Sequence, residues 1–190
     1  MPPKQKVTRD DIIEAAFRIA RERGAECISA RSVADMLGCS TQPVLYHFST
    51  VEEVRRAVYQ MADQFHSAYL MTFPEGAEEP MLEIGLNYIR FSIEEPHLFR
   101  FLFQSGYAVE KNLLEMMDSD ELKPVLGVLR ETAGVDLDRA GEIFLIIALF
   151  AHGYASIIAN NNLEYDEAVI SAHLERAYRG AVLAAEEETE

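Results

Sequence analysis

Between Ser40 and Thr50 the chain gathers side chains whose chemistry is recognition. The amide of Gln42 sets a donor beside an acceptor, the pattern that matches an adenine edge, and Thr41 and Leu45 carry methyl groups suited to the methyl of thymine. Bond-making chemistry finds no comparable set. His97, His152 and His173 are not spaced as helical metal ligands. No Ser-His-acid signature, phosphate-cradling glycine loop or dinucleotide fingerprint is present. Glu94-Glu95 reads as a solvated helix end rather than an acid/base dyad. The expectation is therefore no enzyme, no catalytic residue, no metal and no cofactor. Cys39 precedes a helix start, where a thiol gains thiolate character, but its apolar slot argues against a redox role.

Positioning these groups requires a particular local structure. From Arg31 to Phe48 the chain reads as a helix, a tight turn and a second helix. Ala34, Gly38 and Val44 meet the three steric demands of a helix-turn-helix. A small residue admits the second helix, glycine supplies a positive φ in the turn, and an apolar residue returns to the shared core with Val33, Leu37 and Cys39. The hydroxyl of Ser40 is placed to cap the second helix. Such a unit presents that helix to the major groove of DNA.

Charge is distributed to suit docking by one end. The net charge is −15, yet residues 1–60 are nearly neutral at +1 and the remaining 130 carry −16. Phosphate repels the body of such a chain and not its N-terminal end. Nearly half the residues are apolar, enough for a core. Cys27 and Cys39 are the two cysteines and form no Cys-x-x-Cys pair, so neither a disulfide framework nor a structural zinc site is expected. The N-terminus, Met-Pro-Pro-Lys-Gln-Lys, has no apolar run of a signal peptide, and a cytoplasmic location is expected. Ile143 to Ala159 is uncharged and mostly apolar. It falls short of the roughly 20 residues of a membrane span and contains His152 and Ser156, so it reads as a helix buried on both sides in a soluble protein, with no membrane partner.

Along the chain, helix follows helix. Thr8 and Asp11 make a capping box, and Ile12, Ile13, Ala16, Phe17 and Ala20 recur at helical spacing until Gly24. Ser29 caps the next helix. Thr50 and Glu53 open a long helix carrying Val51, Val54, Val58, Met61, Phe65 and Ala68. A Pro- and Gly-marked loop near 73–80 precedes a helix from Pro80 to Glu95, and Pro96 starts another, closed by Gly106. Leu113 to Thr132 reads as two short helices broken near Ser119. A long apolar helix from about Leu137 to Ala159 and a final one from about Asp166 to Ala185 complete an all-α chain. The expected organisation is an N-terminal three-helix DNA-binding domain, residues 1–50, joined by the long helix to a helical effector-binding and dimerisation domain, residues 51–190.

Gly-Cys-Ser-Thr-Gln-Pro-Val-Leu-Tyr-His-Phe at residues 38–48, followed by a capped helix, closely resembles the DNA-binding domain of the TetR family of bacterial repressors; the likeness covers about residues 8–60. His152-Gly153 is similar to a His-Gly pair of some members. The resemblance implies a homodimer on a palindromic double-stranded operator, a small-molecule effector in the C-terminal domain, and dimerisation through the last two long helices. It places Thr41, Gln42 and Leu45 near base edges and Tyr46 and His47 toward bases or phosphates. Ser40, Thr50 and Arg31 would meet phosphate. For Tyr46 and His47 the alternative is packing on the first helix. Many members carry lysine where this chain has Val51, and its absence predicts weaker phosphate anchoring or a larger share falling to Lys4, Lys6 and Arg9.

For the effector, Phe91, Phe99, Phe103, Tyr107, Phe144, Ile147 and Tyr154 come from three helical segments able to converge on one mostly apolar cavity, with His152 as its polar contact and Met116 and Met117 as lining. A core or interface role for each, including His152, stays open. Two other readings stand beside the regulator: a small-molecule sequestering protein with a vestigial DNA-binding module, and an all-α enzyme built on the same aromatics.

Overall fold

The computed structural model describes residues 7–73, 77–107, 122–161 and 163–187. Among them there is no strand, and the chain is a succession of helices: α1 (Arg9–Arg23), a 3-10 turn (Ala25–Cys27), α2 (Ala30–Leu37), α3 (Gln42–His47), α4 (Val51–Leu70), α5 (Pro80–Glu94), α6 (Pro96–Gln104), α7 (Lys123–Ala133), α8 (Leu137–Asn161) and α9 (Glu167–Glu187). Met116, Met117, Lys4, Lys6 and the break expected near Ser119 lie outside the described residues.

By contacts the chain forms two compact units, Met1–Phe65 with Glu95–Ala108, and His66–Glu94 with Val109–Glu190. These bounds differ from the division at residue 50 read from the sequence. α4 contributes residues to both units, and α6 belongs to the first.

Local chemistry sets the elements of the first unit. The Asp11 amide donates to Thr8 Oγ1 at 3.1 Å and the Thr8 amide to Asp11 Oδ2 at 2.8 Å, which begins α1 and holds the Asp11 carboxyl below its usual range. The helix buries Ile12, Ala16, Ile19 and Ala20 along one stripe and ends at Gly24, φ 96°. Ser29 and Ser32 form a second reciprocal cap at the start of α2, and Gly38 ends that helix in the left-handed region at φ 63°, ψ 33°. α1 packs against α2, α3 and α6.

α6 is part of this unit by packing and by charge. Leu98, Phe99, Phe101 and Leu102 are buried, each worth about 1.5–3 kcal/mol by the area rule. The Arg21 Nε donates to both oxygens of the buried Glu95 at 2.9 and 2.8 Å. The Tyr59 hydroxyl donates to the Leu102 carbonyl at 3.2 Å.

In the second unit α8 packs against α5, α7 and α9 through Ala140, Ile143, Ile147, Ala151, Ala155 and Ile158. The opposite face is open: Leu149 is 52% and Ile157 51% exposed. The expectation of a helix buried on both sides is corrected here, because the apolar run is long enough to supply a second stripe that the described residues do not cover. α8 has the length and apolarity of a membrane span, with 28% of the apolar window buried. Gly85 brings α5 close to α9, since a Cβ there would stand 3.3 Å from Leu174 Cδ1. Arg90 pairs with Glu167 at 2.9 Å and with Glu83 at 3.7 Å. The Asn87 amide donates to the carbonyls of Leu70 and Thr72 at 3.2 and 3.0 Å, satisfying the end of α4.

Candidate functional site

The turn between α2 and α3 is built to hold a short helix proud of the surface. Val44 and Phe48 are buried and anchor α3, while Gln42, Leu45 and Tyr46 face outward, with Leu45 58% and Tyr46 80% exposed. A helix of 6 residues cannot persist alone. It stands because those two side chains and the Phe48 amide, which donates to the Val44 carbonyl at 3.0 Å, fix both its ends to the bundle. Pro43 lies in the first turn, where a missing N–H costs nothing.

Ser40, Thr41, Thr50 and Arg31 are exposed, like Gln42, Leu45 and Tyr46. The Arg31 side chain lies 3.9 Å from Asp35 in an open i,i+4 pair. His47 departs from the set. It is half-buried and its Nε2 meets the Val7 carbonyl at 3.1 Å, so the imidazole ties the chain before α1 to the end of α3. Ser40 does not cap α3, whose N-cap is Thr41 in helical conformation with no side-chain cap bond. The reason is backbone geometry: Thr41 already turns with the helix at φ −68°, ψ −13°, so α3 begins one residue later than expected. At α4, Glu53 reaches the Ser49 amide at 2.8 Å while Thr50 Oγ1 accepts the Glu53 amide at 3.2 Å.

Sequence reasoning missed Arg55. From the first turns of α4 its Nε donates to the Ala25 carbonyl and its Nη2 to that of Ile28, both at 3.2 Å, bracing the 3-10 turn that launches α2. Near it Glu52 accepts from the Tyr107 hydroxyl at 2.8 Å, and burial together with that carboxylate pushes the phenol up. The Arg9 guanidinium lies 4.8 Å from the centre of the Phe48 ring, at the end of α3.

The eight residues expected to line one cavity are divided between the two units. Phe99, Phe103 and Tyr107 belong to the first unit, Phe91 is sealed in the core of the second beside His66 and Tyr69, and Phe144 is half-buried on α8. His152 is a satisfied histidine: Nδ1 meets the Tyr88 hydroxyl at 2.8 Å and Nε2 the Ser156 hydroxyl at 3.1 Å, and burial lowers its pKa. Tyr154 is joined to His173.

Two concavities of the second unit are lined by described residues. A cavity of about 190 Å³ lies between the start of α5, the end of α7, and α8 and α9. Ile147 and Leu174 form its floor and Glu78, Glu79 and Glu175 are among its walls. An open groove of about 490 Å³ runs between α8 and α9, where Leu149, Tyr154 and Ile157 face Leu163, Val169 and Ile170. Of the eight expected residues, Ile147 lines the first and Tyr154 the second.

No protein-family model matches the chain, and no curated protein matches it in sequence. Solved structures do resemble it. A TetR-family transcriptional regulator from Streptomyces coelicolor superposes with a TM-score of 0.71 at 16% identity, covering 96% of this chain and 82% of that one. A second TetR-family member from Streptomyces coelicolor gives 0.58 at 20% identity, covering 89% and 96%. The multidrug binding protein EbrR complexed with ethidium gives 0.60 at 19% identity, covering 89% and 97%. The fold is that of TetR-family regulators, as the residues around Gly38 implied.

Proposed function

We propose that this chain is a ligand-responsive transcriptional regulator, acting as a repressor, that binds a palindromic operator as a homodimer and leaves it when a small molecule occupies the second unit. The observation that carries the reading is the exposure of Leu45 and Tyr46 beside Gln42 on a helix whose neighbours Val44 and Phe48 are buried. A monomeric surface gains nothing from an aromatic and a leucine held in water, whereas a major groove offers methyl groups and base edges for both. Residues 1–50 supply the reading surface and residues 51–190 the effector and dimer surfaces. Arg31, Ser40 and Thr50 contact phosphate; Thr41, Gln42, Leu45 and Tyr46 face bases; His47 orients the chain at Val7.

The open apolar face of α8 and α9 supports the homodimer. Ile146, Phe150, Gly153 and Ile157 recur at alternating steps of four and three, the spacing of a helical seam, with Leu149 beside them. EbrR, solved with ethidium and with imidazole, supports a small-molecule site in a chain of this fold. Release needs an effector that binds one dimer geometry better than the other; tenfold discrimination is about 1.4 kcal/mol. α4, shared by the two units, is the covalent route for the response.

Selection from a random duplex library at moderate salt tests the reading. The expected product is an inverted repeat whose half-sites lie ~34 Å apart or a multiple of it. Binding that is weak, unselective and lost at moderate salt would instead favour the sequestering protein with a vestigial DNA-binding module, which the charge of −15 also suits.

A further inference from the structure

We infer that Arg21 is a positioning residue for DNA reading: it ties together two segments by which the chain leaves and re-enters the first unit, and so limits the half-site separations that the paired heads accept. The consequence for DNA rests on the regulator reading above; the tie itself does not. The chain passes between its units after Phe65, after Glu94 and after Ala108. At two of those crossings Arg21 touches the residue on the first-unit side. Its Nε donates to both carboxylate oxygens of Glu95 at 2.9 and 2.8 Å, and its Nη2 donates to one of them. The same guanidinium lies 5.1 Å from the centre of the Phe65 ring. Phe17, one turn earlier on α1, meets that ring edge-on with centres 5.7 Å apart. Phe65 on α4 and Glu95 at the start of α6 are thus both held to α1.

Beyond each of these crossings the second unit makes a tie of its own. The Tyr69 hydroxyl donates to Glu94 Oε2 at 2.7 Å, and His66 and Tyr69 both pack on Phe91, with ring centres 4.8 and 5.3 Å away. Neighbours in the chain, Phe65 with His66 and Glu94 with Glu95, are therefore committed to different units. A body joined through one segment swivels about it, whereas segments pinned to each other at both ends of the crossing resist rotation. The chemistry of the tie favours geometry over stability. Glu95 is buried, and an apolar pair of similar volume would close the same interior with equal or greater stability. What the ion pair adds is direction, because the planar fork of arginine fixes the orientation of the carboxylate it holds and its face suits an aromatic ring.

The first measurement needs neither DNA nor a dimer. Cys27 is exposed, so with Cys39→Ala it carries a single nitroxide on the first unit, and Arg130→Cys on α7 supplies one on the second. Double electron–electron resonance on full-length protein, diluted with unlabelled chains, reads the distance within one chain. Two variants remove the tie. Arg21→Lys loses the fork. Arg21→Met with Glu95→Met keeps the volume and strands no charge, so the fold survives where a lone Arg21→Ala would leave the Glu95 carboxylate buried. Both should broaden the distance distribution at least about twofold. An unchanged width in variants of native helical content overturns the inference.

The second measurement uses the selected operator and versions whose half-sites are moved apart or together by two base pairs, a shift of ~7 Å and ~70°. The parent should lose about 100-fold in affinity, because one head cannot engage while the other is bound. In both variants that loss should shrink to about tenfold or less, while affinity for an isolated half-site stays that of the parent, since α3 is untouched. A spacing penalty that stays the same in the variants, the mark of lost folded protein alone, overturns the inference. Should the parent select no duplex, the regulator reading falls; broadened distances then uphold the tie and remove its consequence for DNA.

Discussion

α3 and α8 both hold apolar side chains in water, in different company. On α3 the exposed Leu45 and Tyr46 are interleaved with the polar Thr41 and Gln42, over 6 residues anchored at Val44 and Phe48. On α8 the exposed Ile146, Leu149 and Ile157 recur along a helix of 25 residues, and Leu163 and Val169 extend the same surface toward α9. A mixed patch can distinguish partners by hydrogen-bond pattern. A uniform row has only area to offer and suits a partner of the same kind, another copy of itself. Exposure by itself therefore does not identify a site; its neighbours do.

The sharpest way to break that contrast is to charge the row. Leu149→Glu with Ile157→Glu should raise the dissociation constant of the proposed homodimer at least ~100-fold, about 2.7 kcal/mol, read by sedimentation with helical content unchanged since both positions face solvent in the single chain. A variant that stays dimeric would move the seam elsewhere. Gln42→Ala tests the other side. It should cost about 1–3 kcal/mol on the selected operator and relax discrimination at one base position, with self-association untouched. Uniform weakening over a duplex panel would make Gln42 a backbone contact.

Acid should act on the second unit. Its buried His66, packed against Phe91 with ring centres 4.8 Å apart, has its pKa lowered from 6.5 to about 3 by burial. Between those values the unfolded chain binds a proton that the folded one excludes. Stability is full above about pH 6.5 and falls below it by up to about 1.4 kcal/mol per unit, roughly 2 kcal/mol by pH 5. His152, lowered in the same direction by burial, adds to the loss. In calorimetry the drop in Tm from pH 7 to pH 5 should shrink in His66→Phe; an unchanged drop would assign it to other groups. The smallest expected effect is in the first unit. A Cβ on Gly38 meets nothing within 4 Å, so Gly38→Ala costs only the left-handed conformation, about 1 kcal/mol, by urea unfolding. A loss well above that would mean the turn rearranges.

What was legible in the sequence was local. Thr8 with Asp11, Ser29, Gly24 and Pro96 mark helix ends because a cap or a φ value is decided within a few residues. The helix-turn-helix could be read because Ala34, Gly38 and Val44 answer steric demands at fixed spacing. The membership of α6 was not legible, since nothing in the spacing of Phe99, Phe103 and Tyr107 says that this helix packs on α1 in the first unit. Nor could the Arg55 brace be found, because its carbonyl acceptors lie 27 to 30 positions away and carbonyls leave no sequence signature. A sequence likewise gives no view of Glu78 and Glu175 facing one space.

The salt link of Arg21 to Glu95 crosses 74 positions of chain, and it has a consequence for synthesis. The first unit is interrupted: Phe65 and Glu95 are neighbours in its composition and separated by the α5 segment. At ~5–20 residues per second a ribosome needs a few seconds to travel from the end of α4 to the end of α6. Through that interval the nascent three-helix module waits without the wedge of Leu98, Phe99 and Leu102 that completes its interior. A fragment stopped at residue 50 or 65 would be frozen at that same unfinished stage.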